Sequence, residues 1–348
     1  MVTMRCVVVR EHGGFDQLRL EERPVPSPGP GQVRLRMQAI GVNHLDTWVR
    51  RGVPGHTFPL PLITSSDGCG VVDALGAGVD ASRGITVGEP MVVLPGVSCG
   101  ACEACQNGVD QLCRSYHILG ESCDGTAAEF VCLPVANVAP KPRALPATEA
   151  ASICLVFQTA WNMLVRRAEL RAGETVLVHA GLSGVGSAAV QIANLLGAQV
   201  IATAGGPEKC AKVKELGAHH VIDHRAQDFV AAVRTLTGKA GVQVVFEHTG
   251  AATFDGSLKV LQRGGRVVTC GATTGGNVAL SLHAVFFKSL SILGSTMGQK
   301  GDLRQILRLF DQGRLRPVLD RVLPMAQVGE AHRLLEERQA LGKIVLVP

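Results

Sequence analysis

Residues 174–206, ETVLVHAGLSGVGSAAVQIANLLGAQVIATAGG, read as a strand, a tight glycine turn, a helix and a second strand. Val176, Leu177 and Val178 form a short run suited to a buried strand. Gly181, Gly184 and Gly186 follow as G-x-x-G-x-G, and then Ala188, Ala189, Ile192, Ala193, Leu195 and Leu196 recur at helical spacing. That order is the βαβ setting in which a glycine turn binds a dinucleotide. The bare turn lets the backbone approach a pyrophosphate, and the open N–H groups of the helix's first turn supply partial positive charge. A phosphate is therefore expected on Gly184, Val185 and Gly186, with Gly181 and Ser183 counted among the cofactor-binding residues of the same turn. The plainer reading, a glycine-rich turn in some other α/β protein, is weakened by the correct flanking elements.

Working outward, the chain of 348 residues is long enough for two domains with real cores. It is 46% hydrophobic and 18% charged, the texture of a globular protein. A net charge of +5 without a dense Lys/Arg run argues against nucleic acid as a partner and favours a small molecule. The N-terminal run MVTMRCVVVREHGG carries a charge within its apolar part and no cleavage pattern, and no long apolar stretch offers a membrane span. A cytoplasmic location is expected. Eleven cysteines, an odd number in a long chain without an export signal, point to reduced thiols, some holding a metal.

Residues 1–150 are short Val-, Gly- and Pro-rich runs such as QVRLRMQAI and GCGVVDALG, which predict an irregular, mostly antiparallel β domain. From 151 the texture changes. ASICLVFQTAWNMLVRRAEL predicts a long helix, and strands are expected near 175–179, 199–203, 220–223, 243–247, 266–270 and 289–293, the count for a six-stranded doubly wound parallel sheet over 151–294. Residues 295–348 predict a helix near 302–312, a strand RPVLDRVLP, a helix near 326–339 and a closing strand KIVLVP. This tail is expected to return to the first domain, with a cleft between two lobes.

Cys99, Cys102, Cys105 and Cys113 stand as C-x2-C-x2-C-x7-C within SCGACEACQNGVDQLC. Thiolates this close in a loop can converge on one tetrahedral ion, and four sulfurs leave no position open for substrate, so a structural zinc, one per chain, is expected. An iron–sulfur cluster or unliganded thiols are the competing readings.

The four-cysteine lobe, AGLSGVGSAAVQ, and GVNHLD followed by SSDGCGVV together resemble the medium-chain dehydrogenase/reductase superfamily of zinc-type alcohol dehydrogenases and quinone oxidoreductases, over nearly the whole chain. The resemblance implies a GroES-like catalytic domain, a Rossmann domain and hydride transfer with a nicotinamide dinucleotide. Zinc-dependent members carry a catalytic Cys where this chain has Asn43, a His-Glu pair at Ser66 and Asp67, and a further ligand near Leu155. Of these only Asp67 could bind zinc. His44, Cys69 and Cys154 lie within two residues of those positions, which leaves a rebuilt zinc site as an alternative, although an offset of one residue in a strand turns a side chain to the other face.

Without a Lewis acid to favour an alkoxide, hydride delivery to an acceptor that is already electron-poor, such as an enone, a quinone or an aldehyde, is the easier chemistry. Asn43 matches the zinc-free pattern G-x-N-x-x-D and could donate to a developing oxyanion, or simply fix its loop. Asp46 orients that loop, Ser66 and Asp67 face the position of the missing metal, and His44 is the candidate proton donor. Thr159, in QTAWNML, matches a threonine that approaches the nicotinamide in the superfamily, its plain alternative being a helix-interior threonine bonded to its own backbone.

NAD-binding turns carry Asp or Glu after the second strand to hold the ribose hydroxyls. Here that stretch is Ala202-Thr203-Ala204-Gly205-Gly206, with Lys209 following and Arg225 after the third strand. Small residues leave room for a 2′-phosphate and Lys or Arg can pair with it, which favours NADP(H). Thr203, Gly205, Lys209, Arg225, Thr249 and Gly271 complete the expected cofactor contacts, the last two from strand ends. Three functions stay open: an NADPH-dependent reductase with structural zinc only, a zinc alcohol dehydrogenase with rearranged ligands, and an NADPH-binding redox sensor without catalysis. SLSILGST, an apolar strand at a sheet edge, predicts a homodimer joined edge to edge.

Overall fold

The computed structural model describes residues 2–79 and 84–348. The chain divides into two compact units, one of Met1–Leu155 with Gln299–Pro348 and one of Val156–Gly298.

In the first unit β1 (Thr3–Val9) and β2 (Leu18–Pro24) form an antiparallel pair. The next strand, β3 (Gln32–Val42), alternates buried and open positions as far as Gln38 and is buried continuously from Ala39 to Val42. A strand patterned this way is half-covered at one end and sealed on both faces at the other. It runs straight into α1 (His44–Arg51). Beyond it β4 (Leu62–Ile63) joins β1, while β5 (Asp67–Leu75) pairs antiparallel with β3 and carries β6 (Pro90–Val93) on its far side. A two-stranded ribbon, β7 (Gly96–Val97) and β8 (His117–Ile118), brackets the cysteine stretch and its short helix α2 (Glu103–Gln106). Then β9 (Phe130–Pro134) pairs with β3 and β10 (Val138–Pro140) with β6.

The helix expected to run on from residue 151 is interrupted. α3 (Ala147–Ala150) gives way to a turn, α4 (Cys154–Trp161) follows, and Asn162–Arg167 winds as a π-helix. The apolar periodicity is real, but such a wider turn breaks the i→i+4 ladder that periodicity alone predicts.

The second unit is a wound sheet. In order it has β11 (Thr175–Val178), α5 (Gly184–Leu195), β12 (Gln199–Ala204), α6 (Pro207–Glu215), β13 (His220–Asp223), α7 (Phe229–Leu236), β14 (Val242–Glu247), α8 (Phe254–Val260), β15 (Leu261–Thr269), α9 (Leu282–Phe287) and β16 (Ser291–Gly294). All its strand pairs are parallel, in the order β13-β12-β11-β14-β15-β16. That is the doubly wound order with its switch point beside the first strand. β15 begins earlier than the predicted 266 because Leu261 already bridges Val242; the ladder then slips over Gln262–Gly265 and resumes at Arg266. Gly264 has φ 72°, a backbone conformation that suits glycine at that irregularity.

The tail re-enters the first unit as α10 (Lys300–Asp311), β17 (Leu319–Pro324), α11 (Val328–Glu336) and β18 (Lys343–Val347). β18 pairs antiparallel with β3, Ile344 opposite Val42, and parallel with β17. It therefore lies inside the sheet, and Ile344, Val345 and Leu346 are fully buried. Burial of three such side chains contributes about 1.5–3 kcal/mol each. Among the described residues no helix is long and apolar enough to cross a membrane.

Candidate functional site

In the second unit the glycine turn leaves β11 through His179 and Ala180, and Ala180 sits at φ 44°. That strained backbone places the Ala180 carbonyl where a Cβ on Gly186 would lie 2.2 Å from it, so only glycine lets α5 start this close to the strand. Ser183 is the N-cap, its Oγ accepting from Gly186 N–H at 3.0 Å. The first-turn N–H groups of Gly184 and Val185 have no intrahelical acceptor, which is the arrangement that receives a phosphate. Gly181 is packed on the Val213 and Ala202 side chains and shapes the turn rather than facing outward.

Thr203 is buried, and its Oγ1 accepts from Ala180 N–H at 3.0 Å and lies 3.4 Å from His179 Nδ1. It braces the turn from beneath. His179 Nε2 is 2.9 Å from Ser257 Oγ, which donates to Glu247 Oε2 at 2.8 Å. Because the serine proton goes to the carboxylate, His179 donates from Nε2 and accepts at Nδ1. Burial holds the His179 imidazole neutral, its pKa pushed down. Glu247 also accepts from Thr249 and Gly250 N–H at 2.7 and 3.1 Å, so it faces inward and fixes the loop after β14. His179 and Ser257 were not singled out from sequence; a histidine ending a buried apolar strand was the available signal.

The loop after β12, Ala204-Gly205-Gly206, carries no carboxylate of the NAD type. A Cβ on Gly205 would meet Arg225 Nε and His224 Nε2, both at 3.1 Å. Asp223, at the end of β13, accepts from Gly206 and Arg225 N–H at 2.9 and 3.0 Å, which hold its carboxyl below the usual range. The carboxylate shapes this loop while the Arg225 side chain stays exposed. Lys209 lies on α6 and is engaged with a partner of its own. Thr249 and Gly271 follow β14 and β15, with the Thr249 carbonyl accepting from Thr274 N–H and the Gly271 carbonyl from Thr269 Oγ1. Thr159 is buried on α4.

In the first unit, three of the sequence-selected residues come together at the end of β3. Asn43 caps α1, and its backbone N–H donates to Asp46 Oδ2 at 2.8 Å. Asp46 is fully buried, and burial raises its pKa to about 7. Asn43 Nδ2 donates to Asp67 Oδ2 at 3.0 Å, and Leu155 N–H donates to Asp67 Oδ1 at 2.8 Å. The residue that sequence reasoning missed is Lys343, at the head of β18. Its Nζ donates to the Val42 carbonyl at 2.8 Å, to Asn43 Oδ1, and to Asp67 Oδ2 at 3.3 Å. Both Asp67 oxygens thus have partners, one of them a buried ammonium. A lysine opening an otherwise apolar strand, KIVLV, was the available signal.

Ser66 is fully buried with no partner for its Oγ among the described residues. His44 opens α1, half-buried, and has its own partner. Cys69 and Cys154 are buried thiols whose pKa burial pushes up, to about 12 for Cys69, so they behave as small apolar groups.

The cysteine lobe is organised around its sulfurs. Cys99–Cys105, Cys102–Cys105 and Cys99–Cys113 Sγ pairs lie 3.9, 3.5 and 3.5 Å apart. A tetrahedral zinc with Zn–S near 2.3 Å requires sulfurs about 3.8 Å apart. Backbone N–H groups of Ala101 and Cys102 point at Cys99 Sγ and hold its pKa near 6, favouring the thiolate a metal needs. The residues fit the ion. Among the described residues this is the one group of three or more His, Cys, Asp or Glu whose ligand atoms converge; His44, Cys69, Cys154 and Asp67 do not form a second.

Comparison with known proteins places these features. Family models described as alcohol dehydrogenase GroES-like domain and zinc-binding dehydrogenase match residues 29–143 and 184–312. A 2-haloacrylate reductase from Burkholderia sp is 32% identical over 99% of this chain and 98% of its own length. The chain belongs to the medium-chain dehydrogenase/reductase superfamily. Among solved members, one named an NAD-dependent alcohol dehydrogenase is 49% identical with a TM-score of 0.95 over 99% of this chain and 100% of its own. A crotonyl-CoA carboxylase/reductase solved in complex with NADP is 27% identical, TM-score 0.90, over 99% and 94%. The superfamily fold, a GroES-like unit and a Rossmann sheet, is the one this chain has. It is an oxidoreductase fold.

Proposed function

We propose that this superfamily member is an NADPH-dependent oxidoreductase that reduces an activated double bond, a quinone or an aldehyde, with one structural zinc on Cys99, Cys102, Cys105 and Cys113. The observation that carries the reading is the state of Asp67: at the catalytic-metal position its two oxygens are engaged by Leu155 N–H, the Asn43 amide and the Lys343 ammonium. NADPH, when bound, supplies the hydride. Gly184 and Val185 N–H hold the pyrophosphate, and Arg225 pairs with the 2′-phosphate beside Gly205. The Asn43 amide donates to the substrate oxygen as charge develops there, and Asp46 keeps Asn43 in place through its backbone N–H. His44 remains the proposed proton donor.

The reductases among the relatives, acting on haloacrylate and on crotonyl-CoA, support a conjugated acceptor. The 49% identical structure favours a second reading, NAD-linked alcohol oxidation. A cofactor-oxidation screen decides between them, comparing NADPH with NADH on 2-cyclohexenone, 1,4-benzoquinone and benzaldehyde, and NAD+ on benzyl alcohol. We expect NADPH to be preferred, and Arg225→Ala to lower its kcat/KM about 10- to 100-fold while NADH is little changed, since a charged hydrogen bond contributes about 1.5–3 kcal/mol. Preference for NADH, or alcohol oxidation that chelation stops without unfolding the protein, overturns it. NADPH binding without turnover of any acceptor would favour the sensor reading.

We also propose a homodimer joined through β16. Ser291, Ile292 and Gly294 of this edge strand are exposed, and exposed Leu282, Phe286 and Phe287 lie on the helix that precedes it. An open apolar edge of this kind invites strand addition. Sedimentation at micromolar concentration should give twice the chain mass of 36.6 kDa; the chain mass itself would exclude the dimer.

A further inference from the structure

We infer that Lys343 is a positioning residue for Asn43: its ammonium fixes which end of the Asn43 carboxamide faces inward and leaves one amide N–H available to substrate. This rests on the reading of Asn43 as the donor to the substrate oxygen. A carboxamide has an accepting end and a donating end of nearly the same shape, and its partners decide which way it lies. Lys343 Nζ has three hydrogens and no lone pair to offer, so only the carbonyl end of Asn43 can face it. The Asp67 carboxylate, ion-paired with the same ammonium, can only accept, so the amino end must face Asp67. The two demands agree.

Counting hydrogens sharpens the point. All three ammonium hydrogens have acceptors: the Val42 carbonyl, Asn43 Oδ1 and Asp67 Oδ2. Asn43 Nδ2 has two, and one goes to Asp67 Oδ2. The other has no acceptor among the described residues. Asn43 is 5% exposed, Asp67 fully buried and Lys343 5% exposed, so water does not compete freely for these groups. A flipped amide would set its amino end against the ammonium and its oxygen against the carboxylate, leaving both ends misaligned in a buried site. The cation is delivered by β18, which is held between β3 and β17, so its reach is set by the sheet rather than by a mobile loop.

The test uses the full chain with two substitutions, Lys343→Met, which keeps the apolar stem and removes the donors, and Lys343→Arg, which keeps a donor and a positive charge. Two readouts are taken. The first needs no turnover: the Asn43 side-chain amide protons, identified in a 15N-labelled sample by their loss in Asn43→Asp, are followed by NMR for shift and exchange with water. We expect a protected, inequivalent pair in the native protein, its collapse in Lys343→Met, and its retention in Lys343→Arg. The second is NADPH-driven reduction of 2-cyclohexenone, where kcat should fall on the order of 10- to 100-fold in Lys343→Met with the KM for NADPH within about threefold, and recover in Lys343→Arg. If Lys343→Met does not fold, Lys343→Gln, which offers a neutral donor, should keep the amide pair.

An amide pair unchanged in Lys343→Met overturns the positioning role, whatever the activity. Equal loss of kcat in Lys343→Met and Lys343→Arg, with the amide pair retained in both, also overturns it. An amide that reorients while kcat stays level upholds the positioning and instead removes Asn43 as the substrate's donor, so the two claims fail separately.

Discussion

Replacing Gly186 with valine is expected to abolish NADPH binding, lowering affinity by more than about 100-fold. A Cβ at this position would lie 2.2 Å from the Ala180 carbonyl oxygen and 2.8 Å from Ser183 Oγ. The first obstacle is backbone and cannot rotate away. Ala180 already holds φ 44°, so the turn has little freedom left to absorb the intrusion. The start of α5 must therefore move off the end of β11, which withdraws the Gly184 and Val185 N–H groups from the phosphate and costs Ser183 its bond to Gly186. Overpacking of this kind costs about 1–3 kcal/mol in stability, whereas each lost phosphate contact is a charge-assisted bond and the effect on affinity is larger. Fluorescence titration with NADPH, alongside a melting curve to verify folding, checks it. Affinity within threefold of the native protein would mean that the cofactor does not sit on this turn.

The cysteine lobe carries the second large effect. In Cys113→Ser the zinc content should fall from one per chain to near zero and the melting temperature by about 5 °C. Cys113 is the buried member of the four, with Sγ 3.5 Å from that of Cys99 and accepting from Cys99 N–H. Structural zinc sites in isolated small domains bind with about 10–16 kcal/mol, and the lobe here is fastened further by Lys300, whose Nζ donates to Ser98 Oγ and pairs with Asp110. Part of the loop therefore stays anchored without the ion. A loss of about 3–5 kcal/mol translates to roughly the stated shift for a chain of this size. Metal analysis and thermal melting of the purified variant test it. Retention of one zinc, or a melting temperature equal to the native one, would remove the metal from the account of this lobe.

Much of the second unit could be read in the sequence because its central strands, β11 and β14, are largely buried apolar runs and most of its turns carry glycine. The six strands and their wound order follow from that alternation. Where reading fell short, the cause was a contact distant along the chain. Leu261 joins β15 early because Val242 lies opposite, and no local pattern announces a ladder that slips over two glycines. The break at Asn162–Arg167 is likewise invisible to periodicity, which stays apolar through a π-turn.

The site shows the same division. Asn43, Asp46 and Asp67 are legible through their motifs, being 24 residues apart at most in sequence. Lys343 is separated from Asn43 by 300 residues, and only the pairing of β18 with β3 brings them together. Thr203 illustrates the converse. Its position near the cofactor turn was clear from spacing, but its direction, inward to Ala180 N–H, depends on how β12 and β11 align.

The placing of β18 has a consequence for how the first unit folds. It is an interior strand, with β3 on one side and β17 on the other, and it meets β3 across some 300 residues of chain. Before it docks, Gly41 and Val42 lack their partners on that edge, and Asp67 and Asn43 lack the Lys343 ammonium. Closing this half of the molecule therefore waits on a pairing of very long sequence separation, the kind that slows folding.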